Sequence, residues 1–149
     1  VVDKAEVLSS DDVAVEYIGG DYHVKLSGAK NMIEFLRNSF HSGCAAMHQG
    51  HMPEIAFTGG DSAEGKWYLE DIFIDFEKET HTFGTAIYHD SYVREGDGWR
   101  MSRTVYDRVM EVVEPLHEGA RYTVTRLVEK GLKPEERRDI SHLITWDTI

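Results

Sequence analysis

A single cysteine, Cys44, occurs in the 149 residues, so no intramolecular disulfide can form. Such cysteine usage fits a reducing compartment, and the cytoplasm is the expected location. The neighbours of Cys44 in CAAM are apolar and favour an inert packed thiol over a reactive thiolate. No apolar run reaches the ~20 residues of a membrane span, and no signal-peptide pattern is present. Basic residues are scarce: 16 Lys and Arg stand against 27 Asp and Glu, a formal net charge of −11. That balance repels nucleic acid and anionic membranes, so neither is an expected partner. There is no internal repeat and no low-complexity segment. The opening VVDKAEV lacks a methionine, as expected of a chain trimmed at its N-terminus.

What is present suits one globular domain. Hydrophobic residues make up 41% and charged residues 29%. A chain of this length buries roughly 68–70% of its unfolded surface, enough for a core and a pocket. DDVAVEYIGGDYHVKLSG reads as two short strands around Gly19–Gly20. In GAKNMIEFLRNSF, Met32, Ile33, Phe35, Leu36 and Phe40 recur at helical spacing. HMPEIAF and KWYLEDIFIDF then flank TGGDSAEG, read as a long hairpin connection. THTFGTAIYHDSYVRE and GWRMSRTVYDRVMEVV flank a tight turn at Gly96–Asp97–Gly98. Pro115 closes the last strand. The layout is α+β, a mostly antiparallel meander with a helix packed on one face. Beyond Pro115 the chain reads as an appendage in which 134–143 forms one short helix. It is either a loosely packed extension or an arm for a neighbouring subunit.

Two polar placements stand out. In KWYLEDIFIDF the period of two puts Trp67, Leu69, Asp71 and Phe73 on one face. Asp71 is thus a carboxylate among large apolar side chains, and an unpaired buried charge is costly. It needs an arginine, a histidine or backbone N–H groups as partner. The preceding MHQGHMPEI carries His48 and His51. If the two segments are antiparallel neighbours, one ring can come opposite Asp71, and a carboxylate beside an imidazole fixes its tautomer and raises its basicity. Residues three apart in a strand face opposite ways, so the two rings do not chelate one ion unless Gly50 or Pro53 makes a bulge. A metal would also need a third ligand such as His89 or Asp90, and no HExxH or CxxC spacing occurs. In TVYDRV, Thr104, Tyr106 and Arg108 share a face, while Met101, Val105 and Val109 share the other. Periodicity leaves open whether Tyr106 and Arg108 meet solvent or line a cavity.

The pieces MHQGHMPEI, GKWYLED, DGWR and the final Tyr-x-Arg resemble the SnoaL-like branch of the nuclear transport factor 2-like superfamily, nearest to bile acid 7-alpha-dehydratase-like proteins. Scytalone dehydratase and lindane dehydrochlorinase are more distant relatives. The resemblance runs from about Leu8 to Arg108. It implies a cone-shaped α+β barrel, a curved and mostly antiparallel sheet wrapped around helices with a deep apolar pocket. It further implies His48 as general base, Asp71 as its partner and Arg108 as a third catalytic residue, leaving His51 a structural role. Substrate contacts then fall to Trp67, Leu69, Phe73, Tyr88 and Tyr106. The family's N-terminal helices supply a Tyr and an Asp, and this chain begins just after where they would lie. The expected organisation is a SnoaL-like domain over 1–114 without those helices, and an extension over 115–149 at an oligomer interface.

The activity implied is a lyase. His48 removes a proton acidified by a carbonyl, and hydroxide departs from an apolar, ring-containing hydroxy ketone such as a steroid or polyketide. Asp71 orients the ring and stabilises imidazolium, while Arg108 orients substrate or stabilises negative charge on oxygen. No metal or organic cofactor is called for. Isomerisation or cyclisation begins with the same proton abstraction. The rival is a non-catalytic small-molecule-binding protein, since fold alone does not fix function. A homo-oligomer, dimer or trimer, is expected.

Overall fold

The computed structural model describes residue 5 and residues 8–146, the side chain of residue 127 excepted. The elements in chain order are β1 (Ser9–Ile18), β2 (Tyr22–Ser27), α1 (Ala29–Ser39), β3 (Cys44–Phe57), β4 (Ser62–Asp75), β5 (Thr80–Glu95), β6 (Gly98–Pro115), α2 (Arg126–Lys130) and β7 (Ile144–Trp146). Single 3-10 turns occupy Pro134–Glu136 and Ser141–Leu143. The strands form one seven-stranded sheet in the order β3-β4-β5-β6-β1-β2-β7. Every pairing is antiparallel except β1 with β6. The fold is therefore α+β with a mixed, mostly antiparallel sheet that does not close, β3 and β7 being its edges. No helix among the described residues is long and apolar enough to cross a membrane.

Alternation builds the core. Val13 and Val15 of β1 and Val24 and Leu26 of β2 point to the same side and meet Ala29 and Met32 of α1. Met32 is 2% exposed, a burial worth about 1.5–3 kcal/mol. Gly28 precedes α1 with φ +90 and turns the chain from β2 onto the sheet face, a conformation glycine adopts without penalty. The sheet is strongly curled. Laid flat, the six spacings between β3 and β7 would span roughly 29 Å, yet His48 of β3 and Trp146 of β7 line the same cavity. The cavity is the space between the curled sheet, β7 included, and α1.

Two local expectations need correction. The connection after β3 is short, because Ser62 already belongs to β4 and Ala63 pairs with Phe57. Thr58 Oγ1 donates to Ser62 Oγ at 2.9 Å across the turn. Residues 134–143 are not one helix. They make two 3-10 turns with an extended backbone at Arg137 between them. Extension lets Arg137 reach Glu77 (2.9 Å) and Arg138 reach Glu34 (3.1 Å). The tail folds back onto its own sheet: β7 pairs with β2, and Trp146 packs edge-on against Tyr22 at 5.9 Å. The Leu127 side chain and residues 147–149, also part of the expected extension, lie outside the described residues.

Candidate active site

One row of residues crosses the sheet at a single level. His48 on β3 is the Cα partner of Asp71 on β4, Asp71 of Gly84 on β5, and Gly84 of Glu111 on β6. His48, Asp71 and Glu111 all line the cavity, whose volume is about 350 Å³, within the range of small-molecule pockets. Arg108 joins them from two positions along, opposite Ala86 of β5. In a regular strand Arg108 and Glu111, three apart, would face opposite sides. The β5–β6 register shifts between Thr85 and Ala86, leaving Val109 as an extra residue, and this bulge turns both side chains toward the cavity.

Asp71 is 3% exposed at its side chain and is held by Arg108, Nη1 donating to Oδ1 at 2.6 Å and Nη2 to Oδ2 at 3.3 Å. Nη2 also approaches Glu111 Oε2 at 3.1 Å, so one guanidinium bridges two carboxylates. Gly84 makes the bridge possible. A Cβ there would collide with Arg108 Nη1 and come within 2.9 Å of the Met110 carbonyl oxygen. Gly84→Ala is accordingly expected to lower stability by about 1–3 kcal/mol, the usual range for overpacking. Urea unfolding measures it, and an unchanged midpoint would show that Arg108 has room to move. Arg108 Nε is buried and has no hydrogen-bond partner.

The His48 ring makes no hydrogen bond to Asp71: its expected partner is taken by Arg108. It stands at the cavity mouth, edge-on to Phe40 at 5.4 Å. Burial on the cavity side holds its pKa below the ordinary histidine value; the Asp71 charge acts against this and the Arg108 charge with it. His48 is therefore a neutral imidazole at neutral pH and a usable base. Tyr17, Tyr88 and Tyr106 form an aromatic wall, with Tyr88–Tyr106 centroids 5.3 Å apart and Tyr17–Tyr106 6.1 Å apart. Burial pushes all three hydroxyls well above the ordinary tyrosine value, so they stay protonated. The Arg108 guanidinium lies 5.1 Å from the Tyr106 ring centroid.

A model of the SnoaL-like domain family matches residues 4–105. The chain is a member of that family. Its sheet and helix also superpose on solved SnoaL-like structures. LinA gives a TM-score of 0.68 at 14% identity, covering 83% of this chain and 81% of that one. A scytalone dehydratase candidate from Novosphingobium aromaticivorans gives 0.65 at 15%, covering 82% of each chain. A hexachlorocyclohexane dehydrochlorinase, LinA type 3, from Novosphingobium barchaimii gives 0.58 at 20%, covering 83% and 85%. At these identities the likeness is one of fold, the nuclear transport factor 2-like cone.

In this SnoaL-like domain, six of the eight expected site residues line one cavity: His48, Asp71 and Arg108, with Phe73, Tyr88 and Tyr106. Trp67 and Leu69 lie outside it. Leu69 is packed with Ala86 and Tyr106 below the cavity, and the Trp67 indole N–H donates to the Tyr92 hydroxyl at 2.9 Å. His51 sits on the outer face, 3.7 Å from Glu70. The bulge in β3 follows it, between His51 and Glu54, so it does not bring the two rings together. Among the described residues no group of three or more His, Cys, Asp or Glu could hold a metal ion. Sequence reasoning missed Glu111, Gly84, Tyr17, Tyr22 and Phe40. A glycine isolated within a strand signals close approach of another group, and Gly84 carried that signal.

Proposed function

We propose that this SnoaL-like domain is a cofactor-independent lyase acting on an apolar, ring-containing hydroxy ketone, with a steroid or polyketide skeleton as the substrate class. The carrying observation is the row itself: a neutral His48 at the mouth of an apolar cavity, level with a buried Asp71–Arg108 pair. His48 takes the proton next to the substrate carbonyl, and the electron pair moves toward the carbonyl oxygen. The Arg108 guanidinium on the cavity wall stabilises the charge that develops on that oxygen, the arrangement by which fixed positive groups lower such barriers. Asp71 acts on His48 through its charge and on Arg108 through hydrogen bonds, keeping the guanidinium in place. Tyr17, Tyr88 and Tyr106 offer ring faces and edges to the substrate skeleton.

The same proton abstraction serves an isomerase or a cyclase, and product analysis separates them. The test is a panel of cyclic β-hydroxy ketones followed by ultraviolet absorbance for the enone. Enone formation that His48→Ala abolishes supports the lyase. Saturable binding without exchange of the α-proton in D2O would make the domain a binding module instead.

We further propose that the chain assembles as a homo-oligomer. Val109, Met110, Val112 and Val113 stand exposed on the half of β6 that no described strand pairs on its β1 side. A monomeric mass in solution would rule this out.

A further inference from the structure

Hydroxide is a poor leaving group unless it gains a proton as the C–O bond breaks. His48 holds the proton taken from carbon, at the β3 end of the row. At the β6 end stands Glu111, three strand spacings and roughly 14 Å away between Cα atoms in a flat sheet. Both side chains line the cavity, so a substrate lying over Arg108 has His48 at one end and Glu111 at the other. We propose that Glu111 is the general acid of this site, delivering the proton to the departing oxygen, and that the pocket is therefore built for an oxygen leaving group rather than a halide. The inference rests on the lyase reading and narrows its substrate class.

Geometry separates the roles of the two carboxylates. Asp71 accepts both of its bonds from one guanidinium and is almost wholly buried. Glu111 has a single contact with Arg108, through Oε2, and its side chain is 27% exposed. It keeps a carboxyl oxygen for a ligand and a path to water for reprotonation. The Val109 bulge turns it to the cavity; without that extra residue it would face outward. Charge works in the same direction. Glu111 faces Arg108 on its own strand, Asp71 on β4, and Asp21 and Tyr22 at the β1–β2 turn. Burial and the Asp21 and Asp71 charges favour its protonated form, against the pull of Arg108. Two carboxylates on one cation leave a net negative site, and an enolate forming above it adds to the demand for a proton at Glu111.

The step balances. The C–H bond breaks, its proton goes to His48 and its pair becomes the new π bond. The C–O bond breaks with its pair on oxygen, and the Glu111 O–H proton joins that oxygen, so water leaves. His48 then returns its proton through solvent and Glu111 regains one. No oxidant, reductant or co-reactant enters.

The consequence is a pH profile. A base whose pKa is lowered from the ordinary histidine value and an acid whose pKa is raised from the ordinary glutamate value give a bell-shaped kcat/KM whose maximum lies midway between the two pKa values. The bell keeps this position whichever of the two pKa values is higher. Replacing Glu111 removes the basic limb.

The experiment uses the full chain and two probes, a cyclic β-hydroxy ketone and its β-chloro analogue, whose leaving group needs no proton. Glu111→Gln should lower the ratio of hydroxy to chloro turnover by at least about 100-fold, the low end for loss of a general acid. It should also turn the bell into a single acid limb, and Glu111→Asp should restore part of the ratio. Circular dichroism and urea midpoints show that each variant folds. Equal losses on both probes would overturn the proposal and reduce Glu111 to a positioning residue for Arg108. A fall in the ratio in Tyr22→Phe but not in Glu111→Gln would overturn it in favour of Tyr22. Failure of the wild type to eliminate from either probe, or to exchange the α-proton in D2O, is a different result and would overturn the lyase reading together with this one.

Discussion

Arg108→Met is expected to destabilise the fold by about 3–5 kcal/mol, the range for removing one partner of a buried ion pair. Asp71 is 3% exposed at its side chain, and the hydrogen bonds to its carboxylate come from Arg108. Its Cα neighbours across the sheet are His48, which does not bond to it, and Gly84, which has no side chain. Nothing in the cavity wall replaces the guanidinium, so the variant buries a bare carboxylate. Adding Asp71→Leu to Arg108→Met should recover about 1–4 kcal/mol, because removing both charges removes the desolvation penalty with the attraction. Glu111 then loses its contact with Arg108, but its partial exposure keeps that cost small. Urea unfolding of the two single variants and the double variant forms a cycle that isolates the coupling. Additive losses would mean that the pair is a coincidence of packing and not a unit.

The fate of Asp71 shows what could be read in the sequence and what could not. Its place on an apolar face followed from a period of two, and so did its need for a partner. Three kinds of partner were open, an arginine, a histidine or backbone N–H groups. Which one wins is decided by Gly84, which leaves a gap on β5 through which Arg108 passes. That is a relation among three strands, and no single segment carries it. Alternation fixes the face of a side chain but not its depth along the strand. Trp67 and Leu69 share the face of Asp71 and Phe73, yet they lie beyond the end of the cavity because α1 and β7 close around only one half of the sheet. Glu111 was hidden for a different reason. A bulge shifts the period by one, and nothing in VYDRVMEVV marks Val109 as the extra residue. The parallel pairing of β1 with β6 and the three-residue β7 were equally silent, since both depend on where the sheet curls. The family-specific stretch MHQGHMPEI was the most informative. Its two histidines face opposite sides of β3, with only His48 turned to the cavity.

His48→Ala should lower kcat for an eliminated ketone by about 10²–10⁴-fold, the contribution of a positioned general base, with little change in fold. The ring lies at the cavity mouth, packed edge-on to Phe40, and fills no part of the main core. The wild-type pH profile adds an independent check. Burial holds the His48 pKa below its ordinary value, so the base stays neutral and active on lowering the pH past about 6.5, the unperturbed value. The acid limb of kcat/KM must then fall below that pH. The stability linkage has the same sign. A histidine whose folded pKa is depressed contributes stability above the unfolded value and loses it as pH falls through the window down to the folded one. His48→Ala should abolish the acid limb together with the activity. His51→Ala, on the outer face beside Glu70, should leave both in place. An acid limb above 6.5 would mean that the Asp71 charge outweighs burial and that His48 and Asp71 couple more tightly than their separate hydrogen bonding suggests. A His51→Ala variant without activity beside an active His48→Ala would move the base to the other side of the sheet, and the cavity would cease to be the site of proton transfer.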